Sequence, residues 1–332
     1  VASLAMSLAM MVSLGVSISH AIYGGNLTTI LTSGTMAIGM LLGSLMWPML
    51  LRSYQKRRML AEEKHRKARY ASYLAAIEAD VLAKQERNVR LLNENLHPSP
   101  ETLCSFLDQE RDRLRLWERS SDDADFLDVR LGLGNKPSQV RLKVPKQGFR
   151  LYEDELRQLP AQLAAKYGSL SGVPLTLNLR QNHTIGIIGS ETNIRTLLNE
   201  ILLNVIALHA YHEVKLVLVL PPSQVPEFDA FQNVPHVWSN DKKVRFFATR
   251  TDEVHHIFTV IDDTIQQRAA SQEQGQNPVP HYVVIVTDPA LVEKESLFRH
   301  IHDGDQDLGL TAIFAYGDIT KLPRYCKNIV QS

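Results

Sequence analysis

Two uncharged apolar runs open this sequence, and a dense basic cluster follows them. Val1 to Ser19 holds no charged residue, and neither does Thr28 to Leu51. As helices, both are long enough to cross about 30 Å of hydrocarbon. The polar turn between them, His20 to Leu27, has Gly24-Gly25-Asn26 at its centre and carries no Lys or Arg. Directly after the second run come Arg52, Lys56, Arg57, Arg58, Lys64, Arg66, Lys67 and Arg69, opposed only by Glu62 and Glu63. Cytoplasmic flanks carry such an excess of bases. Residues 1–51 are therefore expected to form a two-helix transmembrane hairpin in a cell membrane, with everything after Leu51 in the cytoplasm. A cleaved signal peptide would need a basic leader, and none precedes the first run. Small residues four apart, such as Gly39 and Gly43, would let helix backbones approach closely, within the hairpin or between protomers. The chain starts at Val1 inside an apolar run and ends at Ser332, just after Ile329 and Val330. It is expected to be a piece of a longer protein.

From Arg52 to Leu96 there is no Gly or Pro, and Ala, Glu, Lys, Arg and Leu dominate. That is helical composition, so residues 52–97 are expected to form a basic stalk helix. Its partial apolar stripe is too broken for a strong coiled coil. Tyr73, Leu74, Ile77 and Val81 are left as a candidate partner-binding patch. The basic cluster could also meet anionic headgroups, or simply enforce topology. His97-Pro98-Ser99-Pro100 ends the helix.

Residues 101–332 alternate between strand-like and helix-like patterns. In a leading segment, 101–172, Glu101 to Arg119 reads as an amphipathic helix. Phe126 to Leu133 and Val140 to Val144 read as a hairpin through the Gly134 to Ser138 turn. Glu153 to Tyr167 reads as a helix kinked or split at Pro160. In 173–332, strands are expected at Leu175 to Leu179, Thr184 to Ile188, Val214 to Leu220, Phe246 to Thr249, His281 to Thr287 and Leu310 to Tyr316. Helices are expected at Glu191 to Ala210 and Asp252 to Ala270. This alternation predicts an α/β, doubly wound three-layer sheet.

One unit has the strand–turn–helix shape of a phosphate-binding loop. Laid on G-x-x-x-x-G-K-[ST], the chain offers Gly189, Ser190, Glu191, Thr192, Asn193, Ile194, Arg195 and Thr196. The first Gly and the last Thr match. Ile194 stands where a second Gly would let backbone N–H groups wrap phosphate, and Arg195 stands where the lysine belongs. Glu191 adds negative charge. The strand Tyr282 to Thr287 ends in Asp288, which could hold Mg²⁺, but Pro289 follows where many motors place a carboxylate. The degenerate nucleotide-site candidates are therefore Gly189, Ser190, Arg195, Thr196 and Asp288, with no catalytic residue and no metal site. The favoured reading is a nucleotide-free structural module. A vestigial or inhibitory site and a working one are the alternatives.

Other residues carry less. Cys104 and Cys326 are far apart and lack metal-ligand spacing. Adjacent His255 and His256 face different sides of a helix. The run His300, His302, Asp303, Asp305, Asp307 lacks the spacing of a calcium loop. Formal net charge is zero, so the average offers no electrostatic case for nucleic acid.

The segment Leu114 to Gly134 carries a family resemblance. Trp117-Glu118-Arg119, an acidic turn from Asp122 to Asp125, Asp125-Phe126-Leu127, and the strand Leu131-Gly132-Leu133-Gly134 follow one another in order after two apolar runs. The chain resembles the membrane-anchored FtsK/SpoIIIE-type ATPases of type VII secretion, called EssC or YukB in firmicutes and EccC in actinobacteria. The resemblance implies a RecA-like, degenerate P-loop-type domain between the membrane and downstream motor modules. It implies that those modules, beyond Ser332, use Mg-ATP and export WXG-motif proteins. It further implies an oligomeric assembly with a pseudokinase-like membrane protein of the EssB/YukC type and a ubiquitin-like cytosolic protein. The alternatives are a DNA-translocating motor of the broader FtsK class and a membrane sensor that transmits signals through its stalk.

Overall fold

The computed structural model describes residues 27–108, 112–144, 155–271, 277–302 and 307–332, with scattered positions between 11 and 23. Residues 24–47 have no described side chains. The first expected span and the Gly24–Asn26 turn lie outside the described residues, apart from those positions. Helix α1, Leu27–Leu91, carries the second apolar run and most of the basic stalk as one element with Pro48 inside it. Among the described residues, no helix is long and apolar enough to cross a membrane. A π-turn, Leu92–Leu96, closes the helix before His97 and Pro98. The chain divides into two compact units, residues 1–81 with 144–163, and residues 82–143 with 164–332.

The second unit is built on a parallel sheet. Its strands are β3 (Thr184–Ile188), β4 (Val214–Val219), β5 (Phe247–Ala248), β6 (His281–Val286), β7 (Leu310–Tyr316) and β8 (Asn328–Gln331). They lie in the order β5-β4-β6-β7-β3-β8, and every neighbouring pair is parallel. Strands buried on both faces read as unbroken apolar runs, and all residues of β4, β6 and β7 are buried. One face packs on helix α4, Glu191–Leu208, through Ile194, Leu198, Ile201 and Val205. The other packs on helix α5, Thr251–Ser271, through Val254, Ile257, Phe258 and Ile261. The three layers match the expected α/β class.

The leading segment departs from expectation in two places and follows it at Pro160. Strand β1, Asp128–Pro137, pairs antiparallel with β2, Ser169–Asn178, and residues 140–144 form no strand. The expected hairpin is thus replaced by a longer-range ribbon. Phe126, Leu127 and Val129 lie in the same apolar cluster as α4, so burial of this face sets the register. The expected helix from Glu101 to Arg119 is helix α2, Pro100–Asp108, followed by a 3₁₀ turn at Asp112–Arg115. Between Leu159 and Lys166 lies α3, where Pro160 occupies the first turn and splits off a 3₁₀ turn at Glu155–Arg157.

Candidate functional site

Only two residues, Gly189 and Ser190, separate the end of β3 from the start of helix α4 at Glu191. Ser190 is its N-cap, and the Ser190 hydroxyl accepts from the Asn193 N–H at 3.3 Å. Gly189 has φ +156, and a Cβ there would meet Ser332 Oγ and lie 2.7 Å from the Ser332 carbonyl oxygen. The strand following β7 thus closes over the glycine. Ile194 is buried in the apolar cluster beneath α4. Arg195 Nη1 donates to Glu227 Oε1 at 2.8 Å, and Thr196 Oγ1 donates back to the Thr192 carbonyl at 2.9 Å. Asp288 caps a 3₁₀ turn, accepting from the Ala290 N–H at 3.0 Å. Ser190, Arg195, Thr196 and Asp288 are thus each bonded within the chain.

A cavity of about 250 Å³ opens beside this turn, at the carboxyl ends of the strands, where α/β folds place ligands. Glu191, Ile194 and Arg195 line it from α4, Gln224, Glu227 and Phe228 from the 3₁₀ segment Pro222–Phe231, and Thr287 and Gly317 from the ends of β6 and β7. Of the five residues singled out for nucleotide, only Arg195 lines it. Sequence reasoning missed Gln224, Glu227, Phe228 and Thr287. Thr287 Oγ1 donates to Gln224 Oε1 at 2.6 Å, so the floor is already bridged. Two carboxylates and one guanidinium give the cavity a net negative charge. Its volume falls below the roughly 300–1,000 Å³ usual for small-molecule sites.

The Trp117–Arg119 segment sits at the other end of α4. The Trp117 and Arg119 N–H groups donate to the Ala207 and Leu208 carbonyls at 2.8 and 3.0 Å. Trp117 Nε1 donates to the Ile206 carbonyl at 3.0 Å. These are last-turn carbonyls that an α-helix leaves without partners. Arg119 is buried, ion-paired with Asp125 at 3.1 Å, and donates to the carbonyls of Asp128, at 2.7 Å, and Leu96. Burial lowers its pKa, while the Asp125 and Asp128 carboxylates work to raise it. Behind this cap lie three buried imidazoles. His209 Nε2 accepts from the Leu127 N–H at 2.9 Å, where Leu127 has φ +59. His236 Nε2 bonds the His209 carbonyl at 2.8 Å, and His281 Nε2 bonds Thr311 Oγ1 at 2.8 Å. Desolvation pushes His209 down to about 3 and His236 to about 4.

The remaining candidates disperse. His300 pairs with Asp262 at 2.7 Å and Asp307 with Arg180 at 2.6 Å, while Asp303 and Asp305 lie outside the described residues. Among the described residues no group of three or more His, Cys, Asp or Glu could hold a metal ion. Cys104 and Cys326 are free. In the stalk, Tyr73 is exposed, Leu74 and Ile77 are half-buried, and Val81 is buried. The partner patch expected at these four positions is therefore reduced to three.

The fold and this turn define a three-layer parallel α/β domain, with a strand–turn–helix unit where nucleotide-binding folds place their phosphate loop. No family model matches the chain. It is 25% identical over 281 residues to the ESX secretion system protein EccC of Geobacillus thermodenitrificans, covering 83% of this chain and 18% of that protein. It is 26% identical over 224 residues to the type VII secretion system protein EssC of Staphylococcus aureus, covering 65% of this chain and 15% of that protein. Among solved structures, the cytoplasmic domain of the Thermomonospora curvata type VII secretion ATPase EccC matches 60% of this chain and 19% of that one, at 12% identity and TM-score 0.37. The cytoplasmic domain of EssC matches 61% and 36%, at 13% identity and TM-score 0.38. Over most of its length the chain is similar in sequence to the EccC and EssC proteins of type VII secretion. It spans less than a fifth of the length of these curated relatives.

Proposed function

We propose that this chain is the membrane-proximal, non-catalytic part of a type VII secretion motor. In this reading it comprises a two-span anchor, a basic stalk helix and a cytoplasmic ATPase-like domain that keeps the fold without the chemistry. The observation that carries it is the start of α4 at Glu191. A phosphate loop needs several non-helical residues whose N–H groups converge on the β- and γ-phosphates. Here residues 191–196 are already helical, and only Gly189 and Ser190 remain as a turn. Ile194 is committed to the core, Arg195 to Glu227, and Asp288 to its own turn. Mg-ATP does not fit this residue set.

The whole motor would export WXG-motif proteins, with Mg-ATP consumed in downstream modules. This part would serve assembly, docking through Tyr73, Leu74 and Ile77 to another membrane component such as the pseudokinase-like EssB/YukC type. The direct test is calorimetry and phosphate release with Mg-ATP on the full chain in mild detergent. No saturable heat and no turnover are expected. Binding or turnover that disappears in Arg195→Ala or Asp288→Ala would overturn the reading.

A further inference from the structure

The first turns of α1 after Leu51 carry three exposed bases, Arg52, Lys56 and Arg57. We infer that Arg52, Lys56 and Arg57 form a collar that selects anionic phospholipids at the cytoplasmic face of the membrane. This rests on the membrane-anchor reading above and specifies what its basic cluster binds. No acidic residue occurs between Arg52 and Ala61. The two acids that follow are already engaged, Glu62 with Arg58 at 3.0 Å and Glu63 with Arg66 at 2.8 Å. Among the described residues Arg52, Lys56 and Arg57 pair with no carboxylate, and all three are exposed.

Their neighbours are unusual for a helix in water. Leu51, Tyr54, Met59 and Leu60 are exposed by 45%, 65%, 69% and 60%, interleaved with the bases. At about 100° per residue, Lys56 and Arg57 lie roughly 40° and 140° around the axis from Arg52, with Tyr54 near 200°. Bases and apolar side chains thus surround the helix instead of occupying opposite faces. An amphipathic helix lying on a membrane would segregate them. A helix passing upright through the headgroup layer would not, because every side meets both phosphate and acyl-chain ends. A groove of about 500 Å³ runs along Arg52, Gln55, Lys56, Met59 and Leu60 to Glu63, whose carboxylate is held by Arg66 at 2.8 Å, so cation and apolar wall stand together at its Arg52 end.

Distance separates this collar from the rest of the cluster. The interfacial layer adds roughly 5–8 Å to each side of the hydrocarbon, and the Debye length is about 8 Å. Headgroup charge therefore reaches about 13–16 Å beyond the hydrocarbon edge. With Leu51 at that edge and a rise of about 1.5 Å per residue, Arg52, Lys56 and Arg57 lie within about 9 Å. Lys64 to Arg69 lie about 20–27 Å out, and a tilt of about 20° changes this little. The proximal bases read lipid, and the distal ones do not.

The test uses the full chain reconstituted in phosphatidylcholine bilayers with trace spin-labelled phosphatidylglycerol or phosphatidylcholine. Electron paramagnetic resonance measures the motionally restricted fraction of each. Phosphatidylglycerol should be preferred roughly threefold, and the preference should vanish at salt where the Debye length is about 3 Å. Arg52→Gln/Lys56→Gln/Arg57→Gln should bring the ratio to about one with the restricted phosphatidylcholine fraction unchanged. Neutralising Lys64, Arg66, Lys67 and Arg69 together should leave the preference intact. Equal preference in the unaltered chain, or an equal loss in the distal variant, would overturn the collar. No restricted lipid of either kind would mean that the chain does not insert, and the anchor reading would fall with it.

Discussion

The buried imidazoles behind the Trp117 cap should make this domain sensitive to mild acid. His209 Nε2 accepts from Leu127 N–H, so the ring proton sits on Nδ1. A second proton would set an N–H against the Leu127 N–H. Nδ1 of His236 is buried without a partner, and a proton there would find no acceptor. Desolvation holds His209 at about 3 and His236 at about 4, against an ordinary 6.5, and pushes His281 down as well. The folded pKa values are depressed, so the unfolded chain binds more protons below pH 6.5. Stability is intact above that value and falls as pH drops towards the folded values. A single histidine of this kind costs roughly 0.2 kcal/mol at pH 7 and about 2 kcal/mol at pH 5. His209 and His236 together give a loss of roughly 4 kcal/mol between the two, a large part of the stability of many domains, and His281 acts in the same direction. His97, pushed to about 4, acts in the same direction. Burial raises the pKa values of Asp128 and Glu200 and so opposes the loss, but only as pH approaches the carboxylate range.

The assay is urea unfolding of the full chain in mild detergent, at pH 7 and pH 5, followed by tryptophan fluorescence. His209→Gln keeps an acceptor for Leu127 and cannot take up the proton. It should recover about 2 kcal/mol of the acid loss while slightly lowering stability at pH 7. An unchanged midpoint between pH 7 and pH 5 in the unaltered protein would refute the reasoning, as would an unchanged acid loss in the variant.

Three further outcomes are expected. Trp117→Phe removes only the bond to Ile206 and should cost about 1 kcal/mol, whereas Arg119→Lys strands buried carbonyls and Asp125 and should cost about 3 kcal/mol; urea midpoints showing the reverse ranking would contradict the capping role. Leu74→Asp with Ile77→Asp should strip another membrane component from the detergent-solubilised complex while the chain stays folded, and retention of every partner would move the contact to the globular domain. With Cys104 and Cys326 replaced by serine, a cysteine at Asn26 should label from outside intact cells and one at Ser72 should not; the opposite pattern would invert the hairpin.

The core strands were readable because each is a short apolar run bounded by turn residues, as in Val214–Val219 and His281–Val286. The ribbon was not. Val140-Arg141-Leu142-Lys143-Val144 alternates as a strand should, while the true partner of β1 contains Gly172 and Pro174 and reads locally as a break. Gly172, with φ +68, and the register shifts along β1 absorb those residues. Pairing of segments so far apart is decided by which face can be buried on α4, and no local pattern records it. The helix ending near Trp117 was misread for a similar reason. Trp117 takes φ +59 to turn its N–H and indole onto carbonyls of a helix about 90 residues away in sequence. At the nucleotide-like turn the loop spacing was legible but the helix start was passed over. Ser190 followed by Glu191 is a helix-entry signal, and it places the turn's end before any phosphate cradle could form. Nothing in the Pro222–Phe231 stretch signalled that Glu227 would meet Arg195.

The family resemblance and the proposed absence of a phosphate cradle rest on opposite ends of one helix. At its N-terminus, α4 follows a tight Gly189–Ser190 turn, with Ile194 buried and the Arg195 guanidinium held by Glu227. At its C-terminus, Trp117 and Arg119 cap Ile206, Ala207 and Leu208, and Arg119 ties that cap to Asp128 at the start of β1. The string that carries the resemblance therefore holds the leading segment on the sheet, and none of its side chains reaches the cavity lined by Arg195. A module can lose every phosphate ligand and still need its Trp–Glu–Arg cap, because the cap answers to the unpaired carbonyls of α4 and not to a nucleotide. On this argument, restoring Ile194→Gly and Arg195→Lys together should not restore nucleotide binding. The double change removes a core side chain, at a cost of about 2–5 kcal/mol, and leaves residues 191–193 helical. Calorimetry with Mg-ATP on that variant is the measurement. Saturable binding gained by the two substitutions would show that residue identity, and not the early start of the helix, is what excludes the phosphates.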